Sequence, residues 1–306
     1  MKVATNQYFR ELTRLLTEQG GEVASLQARL ASGEKNLLPS DDVNTAVKVL
    51  DLNALMSHHD TQQTNLKNLD SRLVQEESVM ASIGSMLMRV QELAVMGAND
   101  TYSADNRRTM AAEIRGYKEQ LLMLANSRSS DGSYLFAGAK SGSPPFVAAQ
   151  DGTVQYQGDA TRLQIQLDSG QVLEVNTTGF ELFAGGSNTR NTSLDAGSAF
   201  ATLENLALAL ESADRDGIAE QMDEIDSLRL NMELARTKIG VRRNVIEVRA
   251  DILEEQKVSL TGLLSENKDL DYTQAITELS SRMLALEAAQ TTMSKISQLV
   301  LFNYLR

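Results

Sequence analysis

A chain of 306 residues with a net charge of −12, 42% hydrophobic and 5% aromatic content, and neither Trp nor Cys has enough apolar residues for folded cores. It is poor in the residues that line compact enzyme pockets. The acidic balance excludes a sequence-independent grip on nucleic acid or anionic lipid, and the missing Cys excludes disulfides, thiolate metal sites and cysteine nucleophiles.

At the N-terminus, Leu12, Leu16, Val23, Leu26 and Leu30 fall at three- and four-residue steps. A seven-residue period specifies a helix whose narrow apolar seam must be covered by another helix. Arg10, Glu11 and Arg14 interrupt the stretch where a secretory signal needs an apolar run. The chain is therefore expected to stay inside the cell or to leave without a cleaved signal.

Between Thr45 and Gly97 the positions Leu66, Leu69, Leu73, Met80, Ile83, Leu87, Val90 and Ala94 predict one long helix, with Glu76 as the polar residue in its stripe. Ser40 or Asp41 is the expected N-cap, and Gly97 ends the pattern. The neighbouring Asp41 and Asp42 read as capping groups. His58 and His59 are adjacent on a helix and point about 100° apart, so they do not chelate a metal in the usual i, i+4 way. A further helix is predicted from about Asp105, carrying Met110, Ile114, Tyr117, Leu121 and Leu124 on one stripe.

From Tyr134 to about Asn191 Gly becomes frequent and short alternating runs replace the stripes. Strands are predicted at 154–156, 163–167 and 172–175, with turns at Asp151-Gly152 and Asp168-Ser169-Gly170. The strict alternation from Leu163 to Leu167 predicts one buried and one wet face. Tyr134, Phe136, Phe146, Tyr156, Phe180 and Phe183 are spread along this insert without forming a sugar-stacking cluster in the sequence.

In the second half Ile218, Ile225, Met232, Ile239, Ile246, Leu253 and Leu260 recur at seven-residue intervals, a rod of about 70 Å at 1.5 Å per residue. Its companion line, Leu228, Ala235, Arg242, Arg249, Gln256 and Leu263, turns polar from 242 to 256, which either fixes register or faces water. No segment approaches the roughly 20 apolar residues of a membrane span. Near the C-terminus Ile276, Leu279, Met283, Leu286, Met293 and Val300 form another stripe, and beyond Glu287 only Lys295 and Arg306 carry charge.

These patterns predict a mainly α chain with a small β-rich insert: long antiparallel helical bundle or coiled-coil legs with a β domain at the tip. Residues 1–44 are expected to form an N-terminal assembly helix, 45–133 and 199–265 a helical rod, 134–198 the insert, and 266–306 a C-terminal assembly helix. The residues expected to carry subunit contacts are Leu12, Leu16, Val23, Leu26, Leu30, Ile276, Leu279, Met283, Leu286, Met293, Ile296, Val300, Leu301, Phe302 and Leu305. Convergent titratable groups for catalysis, a cofactor or a metal are not found.

The run from Val23 to Lys35 (VASLQARLASGEK), followed by Ser40-Asp41-Asp42 and Ala46, resembles the N-terminal signature of bacterial flagellins and their relatives. The stretch from Leu284 to Leu305 is similar to the tail of the same superfamily. Its ending, Leu301-Phe302-Asn303-Tyr304-Leu305, resembles the members that join hook to filament rather than filament flagellin. Ala125-Asn126, the run Gly132 to Gly138, Pro145-Phe146 and the run Tyr156 to Asp159 agree with that choice. The resemblance implies a flagellin-like fold and a structural, non-catalytic subunit of the extracellular flagellum that adapts hook to filament through coiled-coil assembly of its termini. It further implies self-association into a ring, contacts with a neighbouring hook-side junction protein and with flagellin, an export chaperone at the C-terminal region, and type III export without a cleaved signal peptide. Nucleic acid, membrane, cofactor and small-molecule substrate are not expected. A filament flagellin is the alternative within the class, and a secreted helical adhesin or effector is the alternative outside it.

Overall fold

The computed structural model describes residues 2–168, 171–183 and 199–304, with side chains described for residues 7, 10–166, 172–183 and 199–296. Its elements run α1 (Lys2–Ser32), α2 (Val43–Gly97), α3 (Ala104–Ala125), β1 (Phe146–Ala148), β2 (Val154–Tyr156), β3 (Gln164–Asp168), β4 (Gln171–Glu174), α4 (Gly179–Phe183), α5 (Ala199–Ser212), α6 (Arg215–Lys268) and α7 (Tyr272–Tyr304). The mainly helical class with a small β insert is observed as expected. The chain divides into two compact units, residues 1–61 with 253–306 and residues 62–252. Both divisions fall inside helices, in α2 and α6.

In the terminal unit, α1 stops at Gly33, whose φ of +74° is a left-handed conformation that favours glycine. Its N–H donates to the Arg29 carbonyl at 2.8 Å, and a Cβ at this position would meet the Tyr272 hydroxyl at 2.8 Å. Helix α2 is capped by Asp42 rather than by Ser40 or Asp41. The Thr45 N–H donates to Asp42 Oδ1 at 3.1 Å, and the Thr45 hydroxyl donates to Oδ2 at 2.6 Å. That hydroxyl, followed by the Thr45 N–H, holds the Asp42 carboxyl below its ordinary value. Asp41 instead accepts the N–H groups of Leu37 and Leu38, both at 3.1 Å, and closes the preceding turn.

The 62–252 unit holds the deep core. Leu73, Met80, Ile83, Leu87, Val90 and Ala94 of α2 are buried with Ile114 and Leu121 of α3 and with Leu203, Leu206 and Leu210 of α5. Helix α3 packs along α5 and is joined to it by Arg115, which donates to Glu204 at 3.0 Å and to Glu211 at 2.6 Å. Helix α5 stops before α6 begins: Ala213 takes a φ of 56°, and Asp214 caps α6 by accepting the Gly217 N–H at 3.1 Å. In α6, Ile218, Ile225, Met232, Ile239, Ile246 and Leu253 are all buried, as the seven-residue repeat predicts. One window of 18 residues in α2 reaches a mean hydropathy of 1.2, long and apolar enough to span a membrane by composition, although 39% of it is buried in the protein. This corrects the expectation that no such stretch exists. The apolar content of α2 comes from both its inner and its outer face.

The insert contains two antiparallel hairpins, β1 with β2 and β3 with β4. Strand β1 has no counterpart among the predicted strands. It is held by Asn126, whose side-chain amide donates to the Phe146 carbonyl at 2.8 Å while its oxygen accepts the Phe146 N–H at 3.0 Å. The amide thus replaces a neighbouring strand. Opposite Phe146 lies Tyr156, and the aromatic residues that are dispersed in sequence converge here. Phe146 lies 5.1 Å from Tyr156, 5.1 Å from Phe183 and 5.4 Å from Phe200 between ring centres. Edge-to-face and tilted contacts of this kind add to the burial of the rings. Gly138, at φ +66°, lets the chain pass the Asp159 carbonyl, where a Cβ would lie only 1.9 Å from the oxygen.

Strand β3 departs from expectation. Leu163 precedes it and donates its N–H to the Asn176 side chain at 2.7 Å, and both Leu163 and Ile165 are exposed. Among the described side chains of the run, those of 163–166, the alternation has no buried face, since a two-stranded ribbon has no sheet of its own to cover it.

Candidate assembly interface

Helices α1 and α7 pack on each other. Their open ends are joined by backbone pairing: the Lys35 N–H donates to the Lys268 carbonyl at 2.8 Å, and the Leu270 N–H donates to the Gly33 carbonyl at 2.9 Å. Farther along, Arg282 donates to Glu22 at 2.6 Å, so residue numbers fall on one helix as they rise on the other and the pair is antiparallel. The seam of α1 runs through Leu12, Leu16, Gln19, Val23, Leu26 and Leu30. Val23 and Leu26 are buried and the others are half-buried.

On α7 the inward line is Ala275, Leu279, Leu286, Ala289, Met293 and Ile296, of which Ala275 is buried and the rest are half-buried. Ile276 and Met283, placed on the same stripe in the sequence, stand 53% and 49% exposed. They belong to an adjacent line of the helix, one residue and therefore about 100° from Ala275. The side chains of Val300, Leu301 and Phe302, and the whole of Leu305, lie outside the described residues. The pairing of the two ends thus leaves Leu15, Tyr272, Ile276, Met283 and Leu284 on the outside of the terminal unit. Partly covered seams and uncovered apolar flanks are the surfaces that association removes from water.

The 62–252 unit contains a buried ionic cluster built around Glu76, the polar intruder of the α2 stripe. Its side chain is fully buried, with Arg72 Nε at 3.4 Å. Burial pushes its carboxyl up to about 7, while Arg72, Thr177 and Arg242 partly offset that rise. Arg72 donates to the Ser133 hydroxyl at 3.0 Å and to the carbonyls of Tyr134 and Leu135 at 3.2 Å each. Arg242 donates to the Thr177 hydroxyl at 3.2 Å and lies 3.7 Å from Glu174. The polar turn of the α6 repeat therefore fixes the insert against the helices at Arg242. Arg72 from α2 and Arg242 from α6 both bind segments of the insert, which makes the chemistry of the cluster that of a latch.

Arg243 pairs with Asp70 at 2.8 Å and Glu77 at 3.1 Å in an open groove of about 570 Å³ between α2 and α6. His58 is exposed and His59 half-buried in α2. Among the described residues, no group of three or more His, Cys, Asp or Glu side chains is arranged to hold a metal.

Two outward stripes lie beyond the single apolar face that the repeats predict for each helix. On α6, Leu230, Leu234, Val241 and Val248 are between 53% and 59% exposed, and on α2 Val74, Met88 and Val95 are exposed as well. The signal was available: Leu234, Val241 and Val248 recur every seven residues, in parallel with the buried repeat but on the opposite side of the helix.

Comparison with known proteins gives a consistent picture. Residues 3–141 match the bacterial flagellin N-terminal helical region. The chain is 26% identical over 319 residues to flagellar hook-associated protein 3 of Escherichia coli strain K12, with 99% of each chain covered. It is 24% identical over 298 residues to a flagellin of Listeria monocytogenes, covering 97% of this chain and 95% of that protein. In three dimensions it resembles a putative flagellar hook-associated protein from Vibrio parahaemolyticus, with a TM-score of 0.68 at 20% identity, over 75% of this chain and 100% of the other.

Proposed function

We propose that this chain is a flagellin-superfamily relative of flagellar hook-associated protein 3, a structural subunit of the bacterial flagellum that joins the hook to the flagellin filament. The observation that carries this reading is the end-to-end match to a hook-associated protein, which includes both termini and the insert. The uncovered flanks of the paired helices α1 and α7 support it, since a helix pair with apolar residues on its outside gains by association with neighbours.

In this reading residues 1–44 and 266–306 are assembly helices, 45–133 with 199–265 form the helical rod, and 134–198 is the insert. Leu12, Leu16, Val23, Leu26, Leu30, Leu279, Leu286, Met293 and Ile296 hold the two termini together, while Ile276, Met283, Val300, Leu301, Phe302 and Leu305 meet neighbouring subunits. The protein works without catalysis, assembles into a ring with copies of itself, and is exported by the type III route without a cleaved signal, with a chaperone holding the C-terminal region until assembly. The net charge of −12 supports solubility of the waiting monomer.

Deletion of the gene tests the reading: bacteria lacking it should shed or fail to anchor filaments, and filaments that attach normally to their hooks would disprove it. A filament flagellin differs in one measurable respect. The purified protein would then extend filament seeds without limit, whereas a junction subunit stops after a short collar.

A further inference from the structure

We infer that two outward faces of the 62–252 unit are the two halves of one heterologous contact, in which α6 of one copy packs on α2 of the next. The inference rests on the self-assembling role proposed above and names the surfaces that such copies use.

The outer line of α6 passes through Leu230, Leu234, Thr237, Val241, Asn244 and Val248 in alternating steps of four and three, all uncharged. A solvated helix face normally carries charge, and this spacing specifies cover by another helix. The one hydroxyl on the line is already satisfied: Thr237 donates to its own helix at the Glu233 carbonyl, 2.9 Å away. The inner repeat of α6 is buried within the chain, so the outer one is left for a second molecule.

Helix α2 offers a face of matching spacing and opposite relief. Ser71, Val74, Ser78, Ala81, Ser85 and Met88 alternate steps of three and four, again without charge, in a chain whose charged content is 23%. The Ser85 hydroxyl donates to the Ala81 carbonyl at 3.1 Å, and the adjoining Ser82 donates to the Ser78 carbonyl at 3.0 Å. Apolar side chains laid over Ser82 and Ser85 therefore leave no orphaned hydroxyl at these two positions. Leu and Val project from α6, while small residues make α2 shallow, so a ridge meets a groove. Packing α6 on α6 would set ridge against ridge.

Size argues for assembly rather than for an isolated dimer. The exposed apolar side chains of the α6 line present on the order of 400 Å², enough to mark an interaction surface but about half of one partner's share in a standard stable interface. Because the two faces are different, each copy can give one and receive one, and a contact of this type closes into a ring or continues as a helix.

The absence of Cys makes a direct test possible. Variants Ser78→Cys and Val241→Cys are produced singly and together as two chains in the same cell, and purified flagella are treated with a short bis-maleimide. A crosslinked dimer is expected only where both chains are present. Crosslinking of Val241→Cys alone would make the contact isologous and overturn the proposal, as would chains present in flagella that do not crosslink. If the wild-type chain is absent from flagella, the junction role fails on its own. The same mixture of purified full-length chains at high concentration then decides the pairing, a mixed dimer supporting it and monomers alone overturning it. Val241→Glu provides the second measurement: the free chain should keep its thermal midpoint while its amount in flagella falls at least tenfold, and unchanged incorporation would also overturn the proposal. Sedimentation with lipid vesicles that Val74→Glu abolishes would assign the α2 face to a membrane, with the same consequence.

Discussion

The terminal unit and the 62–252 unit use helices of similar composition in opposite ways. Among the described residues, all but four of the buried apolar side chains belong to residues 62–252; the exceptions, Val23, Leu26, Leu253 and Ala275, are what the terminal unit keeps for itself. The difference is one of partners. Within residues 62–252, α2 and α6 share their buried core with α3, α5 and the aromatic insert, whereas among the described residues α1 and α7 pack chiefly on each other. Two helices cover one stripe each, and the remaining circumference stays wet. A core formed within one chain supplies its own stability, while a helix pair with little buried apolar surface is marginal until something covers it.

The largest test of this contrast removes the centre of the insert core. Phe146→Ala should destabilise the 62–252 unit by about 3–5 kcal/mol, read as a large fall in its thermal midpoint; a loss below 1 kcal/mol would show that the aromatic cluster is not its keystone. Glu76→Gln comes next and carries a sign. The folded carboxyl lies at about 7, above its ordinary 4.5, so the native state retains a proton that the unfolded chain has released between those values. Its stabilising contribution is complete below about pH 4.5 and is lost as pH rises through 7. Above pH 8 the Gln variant should exceed the wild type by about 1–3 kcal/mol, converging toward it in acid. Chemical denaturation at several pH values measures this, and parallel curves would refute it.

In the terminal unit the effects should be smaller and local. Leu26→Ala is expected to cost about 1–2 kcal/mol, since the site is already at the edge of water. Limited proteolysis should show faster loss of the terminal helices, with the insert core cleaved no sooner. Arg282→Ala removes an ion pair to Glu22 whose side chains are 44% and 45% exposed. Screening by solvent limits its worth to roughly 0.5 kcal/mol or less, and a larger shift in the proteolysis rate would mean that the pair sets the register of α1 against α7.

Seven-residue repeats made the long helices legible in sequence, because a period that holds over seven successive positions of α6, from Ile218 to Leu260, has few other physical origins. They were less able to choose a face. Leu279, Leu286 and Met293 lie on the inward line of α7 and Ile276 and Met283 on its neighbour, and both lines share the same spacing. Only the position of α1 separates them. Asp41 and Asp42 posed the same difficulty at a cap: two adjacent carboxylates are equal in sequence, and the backbone angles decide which one reaches the open N–H groups. The aromatic cluster was invisible for another reason, since residues from 136 to 200 meet only after β1, β2, α4 and α5 are in place. The cluster of Glu76 with Arg72 and Arg242 was half visible, as a polar residue in one stripe and a polar turn in another.

The backbone bridge between residues 33–35 and 268–270 turns α1 and α7 into a hairpin whose loop is the rest of the molecule. In an ordinary helical hairpin a few linking residues set which turn faces which; here two main-chain hydrogen bonds do so, independently of any side chain. The apolar seam beyond them can therefore loosen, open or be covered by a neighbour without slipping by a heptad, like a zip whose slider is stitched in place. Substitutions along the seam should change how tightly the ends close, and leave their alignment alone.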